Sequence, residues 1–331
     1  MKLLGFAWVA VLAAVLMLAA GAAASPEMTD EDMLMMSVMG GGLEDGSAGA
    51  EPALLASATS ALSPDSAGAS GFRSIDVQGA TATRAFGINA VGQIVGSYTD
   101  ATGTTYGFLW SNGNATKIAV PRAISTEAWG INPQGDVVGR YRSAGDPRTH
   151  GFLLSEGVYT DISVGSHLHT LPIKISPSGE IVGCFHDTDF LHDMRGYVQR
   201  GDTVTSFELL PSTMHNGVAP GGGTIAGISF DSPLQVHSYV LTGDAYMQFD
   251  YPGATFTEAW DVSPSGKVVG YFNPVTSHGF TLAGGVLTQI DVPGAGWTRI
   301  FGINPQGDVV GSYADASGGV HAFLLRGRNN P

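Results

Sequence analysis

Potential metal ligands are concentrated in one part of the chain, between residues 166 and 194. Two stretches supply them, SHLHT at 166–170 and HDTDFLHDM at 186–194, and both are predicted to be loops on one face of the fold. Imidazole and carboxylate groups together suit Zn²⁺ or a similar divalent ion. The spacing matches no defined zinc motif, so a pair of polar, solvated loops is the alternative. The candidate ligands are His167, His169, His186, Asp187, Asp189, His192 and Asp193.

A second set of chemically active residues lies three positions before each copy of a G-I-N motif or its equivalent. In chain order this position holds Arg84, Glu127, Leu171, Met214, Glu258 and Arg299. If the strand that carries it is innermost, these side chains encircle the mouth of a central channel. Such a polar funnel suits a small or glycan-like ligand, and its flanking aromatics are Trp129, Trp260 and Trp297. The alternative is a set of ion pairs that plug the channel, with Arg84 beside Glu127 and Arg299.

The spacing of these positions comes from an internal repeat. The decapeptide GINPQGDVVG occupies residues 130–139 and returns at 302–311. Each copy holds four short strand-like runs and two tight turns, such as N-P-Q-G-D at 132–136 and S-N-G-N at 111–114. A unit of this length with two hairpins is typical of a β-propeller blade. The final glycine of the decapeptide recurs at intervals of 41 to 44 residues, as Gly96, Gly139, Gly183, Gly227, Gly270 and Gly311.

We therefore predict an all-β fold, a six-bladed β-propeller of four-stranded antiparallel blades over residues 72–327. The N-terminal strand, residues 72–77, is expected to pair with the last blade and close the ring, which removes an open sheet edge. In R-A-F-G-I-N, alternation places Arg84, Phe86 and Ile88 on one strand face. Tight turns should share one face of the ring. The longer loops share the other, where binding is expected.

Histidine recurs on the third strand of the repeat, as His150, His237, His278 and His321. Equivalent residues of different blades are spread around a ring and cannot converge on one ion, so we interpret these histidines as structural. Cys184 is the single cysteine, which excludes an intrachain disulfide, and we expect it to be a buried, inert thiol.

The segments outside the repeats indicate export. Residues 1–24 have the pattern of a signal peptide, with a retained membrane anchor as the alternative. Residues 25–71 are rich in Ala, Gly and Ser, include a Met-rich segment, carry eight acids without Lys or Arg, and should be disordered. Residues 328–331 form a short tail.

The net charge of −14 argues against nucleic acid as a partner. We expect a secreted, extracellular or periplasmic monomer with no stable membrane insertion after signal cleavage.

HAFLL at 321–325, IDVPGA at 290–295 and GINPQGDVVGSY at 302–313 resemble the bacterial HAF extracellular repeat family. The resemblance covers residues 72–326. It is weaker in the third and fourth copies, where KISPSG at 174–179 and GVAPGGG at 217–223 replace GINPQG. It implies export from a bacterial cell and repetition, and it transfers no catalytic residue to this chain.

These observations predict a non-catalytic binding or interaction module that holds a protein, glycan or small ligand on the long-loop face. One alternative is an extracellular hydrolase or lyase acting on a polymer, in which Glu127 and Glu258 serve as acid and base or the third repeat holds a metal. Another is a structural cell-surface protein. A divalent metal in the third repeat is the one cofactor that the sequence suggests.

Overall fold

A computed structural model describes residues 71–187, 193–207, 212–232, 235–273 and 275–327, with the side chains of residues 231 and 232 excepted. The predicted signal peptide, all but the last residue of the acidic leader, and the C-terminal tail lie outside these ranges, as do Asp189 and His192. None of the described segments is a helix of the length and apolarity needed to cross a bilayer.

The described residues form 24 β-strands, four for each copy of the repeat. They are β1 (Phe72–Ser74), β2 (Ala82–Ile88), β3 (Ile94–Thr99), β4 (Thr105–Ser111), β5 (Asn114–Ile118), β6 (Ala123–Ile131), β7 (Val137–Ser143), β8 (Thr149–Ser155), β9 (Val158–Ile162), β10 (His169–Ile175), β11 (Ile181–His186), β12 (Arg195–Arg200), β13 (Thr203–Phe207), β14 (Thr213–Val218), β15 (Thr224–Ser232), β16 (Gln235–Thr242), β17 (Ala245–Phe249), β18 (Phe256–Val262), β19 (Val268–Asn273), β20 (His278–Ala283), β21 (Val286–Ile290), β22 (Trp297–Ile303), β23 (Val309–Ala314) and β24 (Val320–Leu325).

The strands pair antiparallel in sequence order to give four-stranded sheets, which we number as repeats one to six starting from β2. Repeat six contributes β22, β23 and β24, and its fourth strand is β1. In that pairing Phe72 lies opposite Leu325 and Ser74 lies opposite Phe323. One parallel residue pair, Ala82 with Val320, also connects β2 to β24, and an equivalent pair, Val236 with Phe256, connects β16 to β18. The two ends of the described chain therefore meet in one sheet.

The N-P-Q-G-D sequence forms the tight turn between the first and second strands of a repeat. In repeat six, Asn304 Oδ1 accepts hydrogen bonds from the backbone N–H groups of Gln306 and Asp308, at 3.1 and 2.9 Å. Pro305 favours the φ required at its position, and Gly307 adopts a φ of 80° that other residues rarely adopt. The residue types of this motif thus follow from the geometry of one hairpin turn.

The glycine that ends the decapeptide lies where two strands and an aromatic ring are in close contact. A Cβ atom on Gly139 would lie 2.0 Å from the backbone oxygen of Glu127 and 2.9 Å from the ring of Phe152. Phe152, from the H-G-F motif of the same repeat, is fully buried. Gly96, Gly270 and Gly311 have the same kind of contact. This repeated glycine therefore permits close packing inside each sheet.

Every first strand contains a β-bulge at the same place. In β2 the pairing with β3 passes from Ala85 to Gly87, so Phe86 is left out of the ladder. The extra residue reverses the alternation beyond it, and Ala85 and Ile88 belong to one buried cluster. The prediction that Arg84, Phe86 and Ile88 share one face is therefore wrong for Ile88, because it assumed a continuous ladder.

The recurring histidines each lie beside a carboxylate of their own sheet. The distances between ring nitrogen and carboxylate oxygen are 3.1 Å for His150 and Asp146, 2.8 Å for His237 and Asp250, 3.0 Å for His278 and Asp291, and 2.8 Å for His321 and Asp76. Three of these acids come from the I-D-V stretch or its equivalent. The histidine and aspartate motifs of the repeat thus join neighbouring strands, as the structural interpretation predicts.

Candidate functional site

Bulged residues of four repeats meet in one aromatic group, the central stack, formed by Phe86, Trp129, Trp260 and Phe301. The rings of Phe86 and Trp129 stack at 4.0 Å, and Trp129 lies 5.4 Å from Trp260. Phe301 meets Trp260 edge to face at 5.1 Å. All four side chains are buried. Because Trp129 and Trp260 belong to repeats two and five, the first strands of distant repeats converge on this stack.

The stack changes the role expected for two of the predicted site residues. Trp129 and Trp260 were expected to flank a ligand, but they are 1% and 0% exposed and their faces contact other rings. Trp297, the third predicted aromatic, is half-buried at the start of β22. Of these three tryptophans, only Trp297 has a surface that a ligand can reach.

A group of charged side chains, the charged layer, lies next to the central stack. Arg84, Glu127, Glu258 and Arg299 stand two residues before the bulge on their first strands, and Arg140 lies opposite Glu127 on β7. Electrostatic interactions link Arg84 to both Glu127 and Arg299, and Glu258 to Arg299. The four charged residues predicted at the channel mouth therefore act on one another.

Glu127 is held by two neighbours in repeat two. Its Oε2 atom accepts hydrogen bonds from Arg140 Nη2 and Nε at 2.9 and 3.1 Å. The indole N–H of Trp129 donates to the same oxygen at 3.0 Å. A carboxylate with two charge-assisted hydrogen bonds and an indole donor is fixed in position.

Glu258 is more deeply buried, with 1% of its surface exposed. The Tyr271 hydroxyl donates to its Oε2 at 2.6 Å, and the Trp260 indole N–H donates to the same atom at 3.3 Å. Burial raises the pKa of Glu258 to about 8, although Tyr271 and Arg299 act in the opposite direction. This carboxyl group is therefore mainly protonated and uncharged at neutral pH.

Arg299 and Arg84 lie beside each other in different environments. Arg299 is 7% exposed, donates from Nε to Ser277 Oγ at 3.0 Å, and has its guanidinium 4.6 Å from the ring centre of Trp297. Arg84 is partly exposed. Burial lowers the pKa of Arg84, Glu127 opposes that effect and Arg299 adds to it. Among the residues that the structure describes, none makes a hydrogen bond or ion pair with the Arg84 guanidinium.

On the other side of the stack, an ion pair that the sequence did not predict joins repeats three and five. Lys174 Nζ lies 3.3 Å from Asp261 Oδ2 and donates to the backbone oxygens of Phe86 and Phe301 at 2.7 and 3.0 Å. The two residues form part of the wall of a cavity of about 60 Å³ that is bordered by proline turns. The sequence does contain a sign of this pair. Lys174 and Asp261 stand at the position that glycine occupies in the G-I-N motif of other repeats, such as Gly302 in repeat six.

The structure brings together part of the histidine and aspartate set of the third repeat. His167 Nδ1 lies 2.9 Å from Asp187 Oδ2. The rings of His169 and His186 stack with their centres 4.6 Å apart, and Asp193 Oδ2 accepts the backbone N–H of Asp187 at 3.3 Å. Across the described ranges, no three His, Cys, Asp or Glu side chains are grouped as metal ligands. The two other candidates lie outside those ranges.

The buried histidine of repeat four, His215, was also not predicted from the sequence. His215 is 1% exposed, and its Nδ1 is hydrogen-bonded to the hydroxyl of Tyr239. That hydroxyl donates to the backbone oxygen of Met214 at 3.2 Å. Burial lowers the pKa of His215 to about 3, so the imidazole is neutral and donates to the tyrosine oxygen. The sequence signal was His in place of the alanine found in repeats one, two and five.

No known family profile and no curated protein matches the sequence. Among solved structures, a gluconolactonase from Xanthomonas campestris has a TM-score of 0.51 and 14% identity over 77% of this chain and 89% of its own. TolB from Acinetobacter baumannii has a TM-score of 0.50 and 14% identity over 72% of this chain and 64% of its own. The β-propeller domain of the Trilobed protease from Pyrococcus furiosus has a TM-score of 0.48 and 12% identity, covering 75% and 95%. At these identities the similarity shows the fold alone, a propeller-like arrangement of antiparallel sheets.

Proposed function

We propose that this protein is a non-catalytic binding module, a six-bladed propeller that holds its ligand at the charged layer. The observation that carries the proposal is that Arg84, Glu127 and Arg299 come from three repeats and act on one another beside a stack of four buried aromatic rings. Rigid strands hold all of these side chains, and a preorganised polar group next to a sealed core is a binding arrangement.

Contacts between repeats six and one support a closed ring. Asn89 Nδ2 donates to the backbone oxygen of Asn132 in the next repeat at 2.9 Å. Asn304 of repeat six makes the equivalent contact to the backbone oxygen of Asn89 in repeat one, at 3.4 Å. The same inter-repeat contact thus occurs between the two ends of the array, as a ring requires.

Truncation tests the ring. Removing residues 1–70 leaves every described strand in place, so the melting temperature should not change. Removing residues 1–77 also deletes β1 and leaves β24 with an open edge, so we expect a clear fall in melting temperature. Equal melting temperatures for the two truncated proteins would contradict closure by β1.

Ligand screening tests the binding site. Thermal-shift panels of sugars, sugar acids, amino acids, peptides and divalent metals should include a compound that raises the melting temperature of the wild-type protein. The shift should be smaller in Arg84→Gln and Trp297→Ala, and it should persist in Arg148→Gln. Arg148 pairs with Asp146 on the surface and serves as the matched control. A ligand whose shift is unchanged in both Arg84→Gln and Trp297→Ala would place the site elsewhere.

A hydrolase or lyase is the second candidate, and the pKa of Glu258 favours it. A carboxyl group with a pKa of about 8 can remain protonated at neutral pH, as a general acid must. Its near-complete burial favours binding instead, because a general acid must reach the substrate. Incubation of the protein with extracellular polysaccharides, followed by reducing-end analysis, tests this candidate, with Glu258→Gln and Glu127→Gln as the variants.

The proposal includes export and a HAF-type repeat, both of which come from the sequence. Expression in a bacterial host with N-terminal sequencing of the exported protein tests the first, and we expect the mature chain to begin at Ser25. Light scattering after size exclusion tests the expected monomer.

A further inference from the structure

Arg84 is the one residue of the charged layer whose charged group has no hydrogen-bonded partner among the described residues. Removing a guanidinium from water is costly unless acceptors replace the water. The carboxylate that attracts it, Glu127, already accepts hydrogen bonds from Arg140 and Trp129. The guanidinium of Arg84 is therefore partly buried, and its N–H donors are available to hydrogen-bond a ligand.

The surroundings of Arg84 increase its demand for an anion. Burial lowers the pKa of Arg84 most, and Arg299 adds repulsion as a like charge; the attraction of Glu127 offsets these effects only in part. The layer contains three arginines and two glutamates, and Glu258 is mainly protonated at neutral pH. Three positive charges and one negative charge leave a local charge of about +2 on a chain whose net charge is −14.

The geometry of the free group limits what it can bind. A guanidinium presents its N–H donors in a planar fork that matches the two oxygens of a carboxylate. The other two arginines are engaged, Arg140 with Glu127 and Arg299 with Ser277 and the ring of Trp297. One free fork, next to an arginine that itself lies over the half-buried ring of Trp297, fits a small ligand with a single carboxylate group.

We propose that the charged layer recognises a small carboxylate ligand, with Arg84 as the group that binds its two oxygens and Trp297 as the surface beside it. This inference rests on the proposed binding function and specifies the ligand class of that same site. Sugar acids and amino-acid carboxylates share this chemistry, and the experiment distinguishes the two.

Paired probes that differ only in charge provide the test. Isothermal titration calorimetry on the full chain at pH 7 and constant ionic strength compares galacturonate with galactose, and N-acetylglycine with its amide. We expect at least one carboxylate to bind, and its neutral twin to bind at least about tenfold more weakly, as loss of a charge-assisted bidentate contact predicts. The pair that shows this difference identifies the source of the carboxylate.

Variants of Arg84 separate a binding role from a structural one. Arg84→Gln should reduce carboxylate affinity at least about tenfold, and Arg84→Lys should retain part of it because the charge remains while the fork is lost. Arg148→Gln should bind like the wild type. Without ligand, the melting temperature of Arg84→Gln should equal or exceed that of the wild type, because the variant removes the desolvation cost of the guanidinium and its repulsion from Arg299, which together outweigh its attraction to Glu127. A lower melting temperature would show that Arg84 stabilises the fold and would overturn the inference.

Other outcomes are also decisive. Equal binding of charged and neutral twins, or no effect of Arg84→Gln, would overturn the carboxylate inference. If a neutral compound from the thermal-shift panels depends on Trp297, the proposed binding function stands while the carboxylate inference fails. If no carboxylate binds and the panels also yield no ligand that depends on the charged layer, both fail.

Discussion

Lys174 and Asp261 form a buried ion pair, 3.3 Å from Nζ to Oδ2, between repeats three and five. The same ammonium group donates to backbone oxygens of repeats one and six, at Phe86 and Phe301. Asp261 Oδ2 also accepts the backbone N–H of Ile303 at 3.1 Å. Two side chains thus connect four of the six repeats beside the central stack.

Breaking this pair should destabilise the fold. In Lys174→Met, Asp261 remains buried without its counter-ion and two backbone oxygens lose a donor, so we expect the free energy of unfolding to fall by about 3–5 kcal/mol. Urea denaturation measures the change. The double variant Lys174→Met, Asp261→Asn removes the uncompensated charge and should recover part of the loss. A single variant within about 1 kcal/mol of the wild type would contradict this role.

Adding one methyl group at the repeated glycine should also destabilise the fold. The Cβ of Gly139→Ala would lie 2.0 Å from the backbone oxygen of Glu127 and 2.9 Å from the ring of Phe152, which is fully buried. We expect a loss of at least about 2 kcal/mol in the free energy of unfolding, measured by urea denaturation. Gly221→Ala is the control, because a Cβ there meets nothing within 4 Å. Equal stabilities for the two variants would contradict the packing argument.

The repeat period and the hairpin turns could be predicted because each depends on local residue types. The pairing of the N-terminal strand with β24 could be predicted because the last copy of the repeat has no I-D-V run of its own after β24. N-P-Q-G-D specifies a turn, and strand alternation is readable wherever the ladder is continuous. The bulge at Phe86 could not be predicted, because it depends on the partner strand and on rings from other repeats. The sequence therefore indicated where the first strand lies but not the direction of the side chains beyond the bulge.

In the candidate site, too, the sequence predicted what depends on position in the repeat and missed what depends on contacts between distant repeats. Arg84, Glu127 and Arg299 could be grouped because they share one position in the repeat. The burial of Trp129 and the partnership of Lys174 could not be deduced, because both arise from contacts between repeats that are far apart in sequence. Lys174 could have been noticed because it replaces a glycine that most copies of the repeat keep at this position.

The contact between His321 and Asp76 should make docking of β1 depend on pH. Burial tends to lower the pKa of His321, but hydrogen bonds and charge from Asp76 and Asp315 raise it above its usual value. The protonated ring therefore stabilises the fold at pH below 6.5, and this contribution is lost as pH rises through the raised value. Hydrogen exchange at Ile75, whose N–H donates to the Ala322 oxygen at 3.1 Å, measures the docking.

We expect the protection factor of Ile75, corrected for intrinsic exchange, to fall as pH rises through that window in the wild type. In His321→Tyr, it should be independent of pH over the same range. His278→Tyr is the matched control, because His278 contacts Asp291 of its own repeat and leaves β1 untouched. If the control variant alters Ile75 protection as much as His321→Tyr does, the contact with Asp76 is not responsible.

Glu258 should make global stability depend on pH in the opposite sense to an ordinary surface acid. Its pKa is about 8 in the folded protein against an ordinary value of 4.5, so between these values the folded state holds a proton that the unfolded state releases. Stability should therefore fall as pH rises from 5 to 9, by an amount on the order of a few kcal/mol. Urea denaturation should show a flatter dependence for Glu258→Gln, with exposed Glu156→Gln as the control. Parallel curves for wild type and Glu258→Gln would contradict the buried, protonated state.

Ionisation of the same carboxyl group should weaken carboxylate binding at the charged layer. Above about pH 8 Glu258 adds a negative charge near Arg299, and the local charge falls from about +2 to about +1. The dissociation constant of the carboxylate probe should then increase several-fold between pH 6.5 and pH 9 in the wild type, as measured by calorimetry. Glu258→Gln should bind with the same affinity across this range, because its side chain cannot ionise. An equal loss of affinity in both proteins would mean that another group controls the pH dependence.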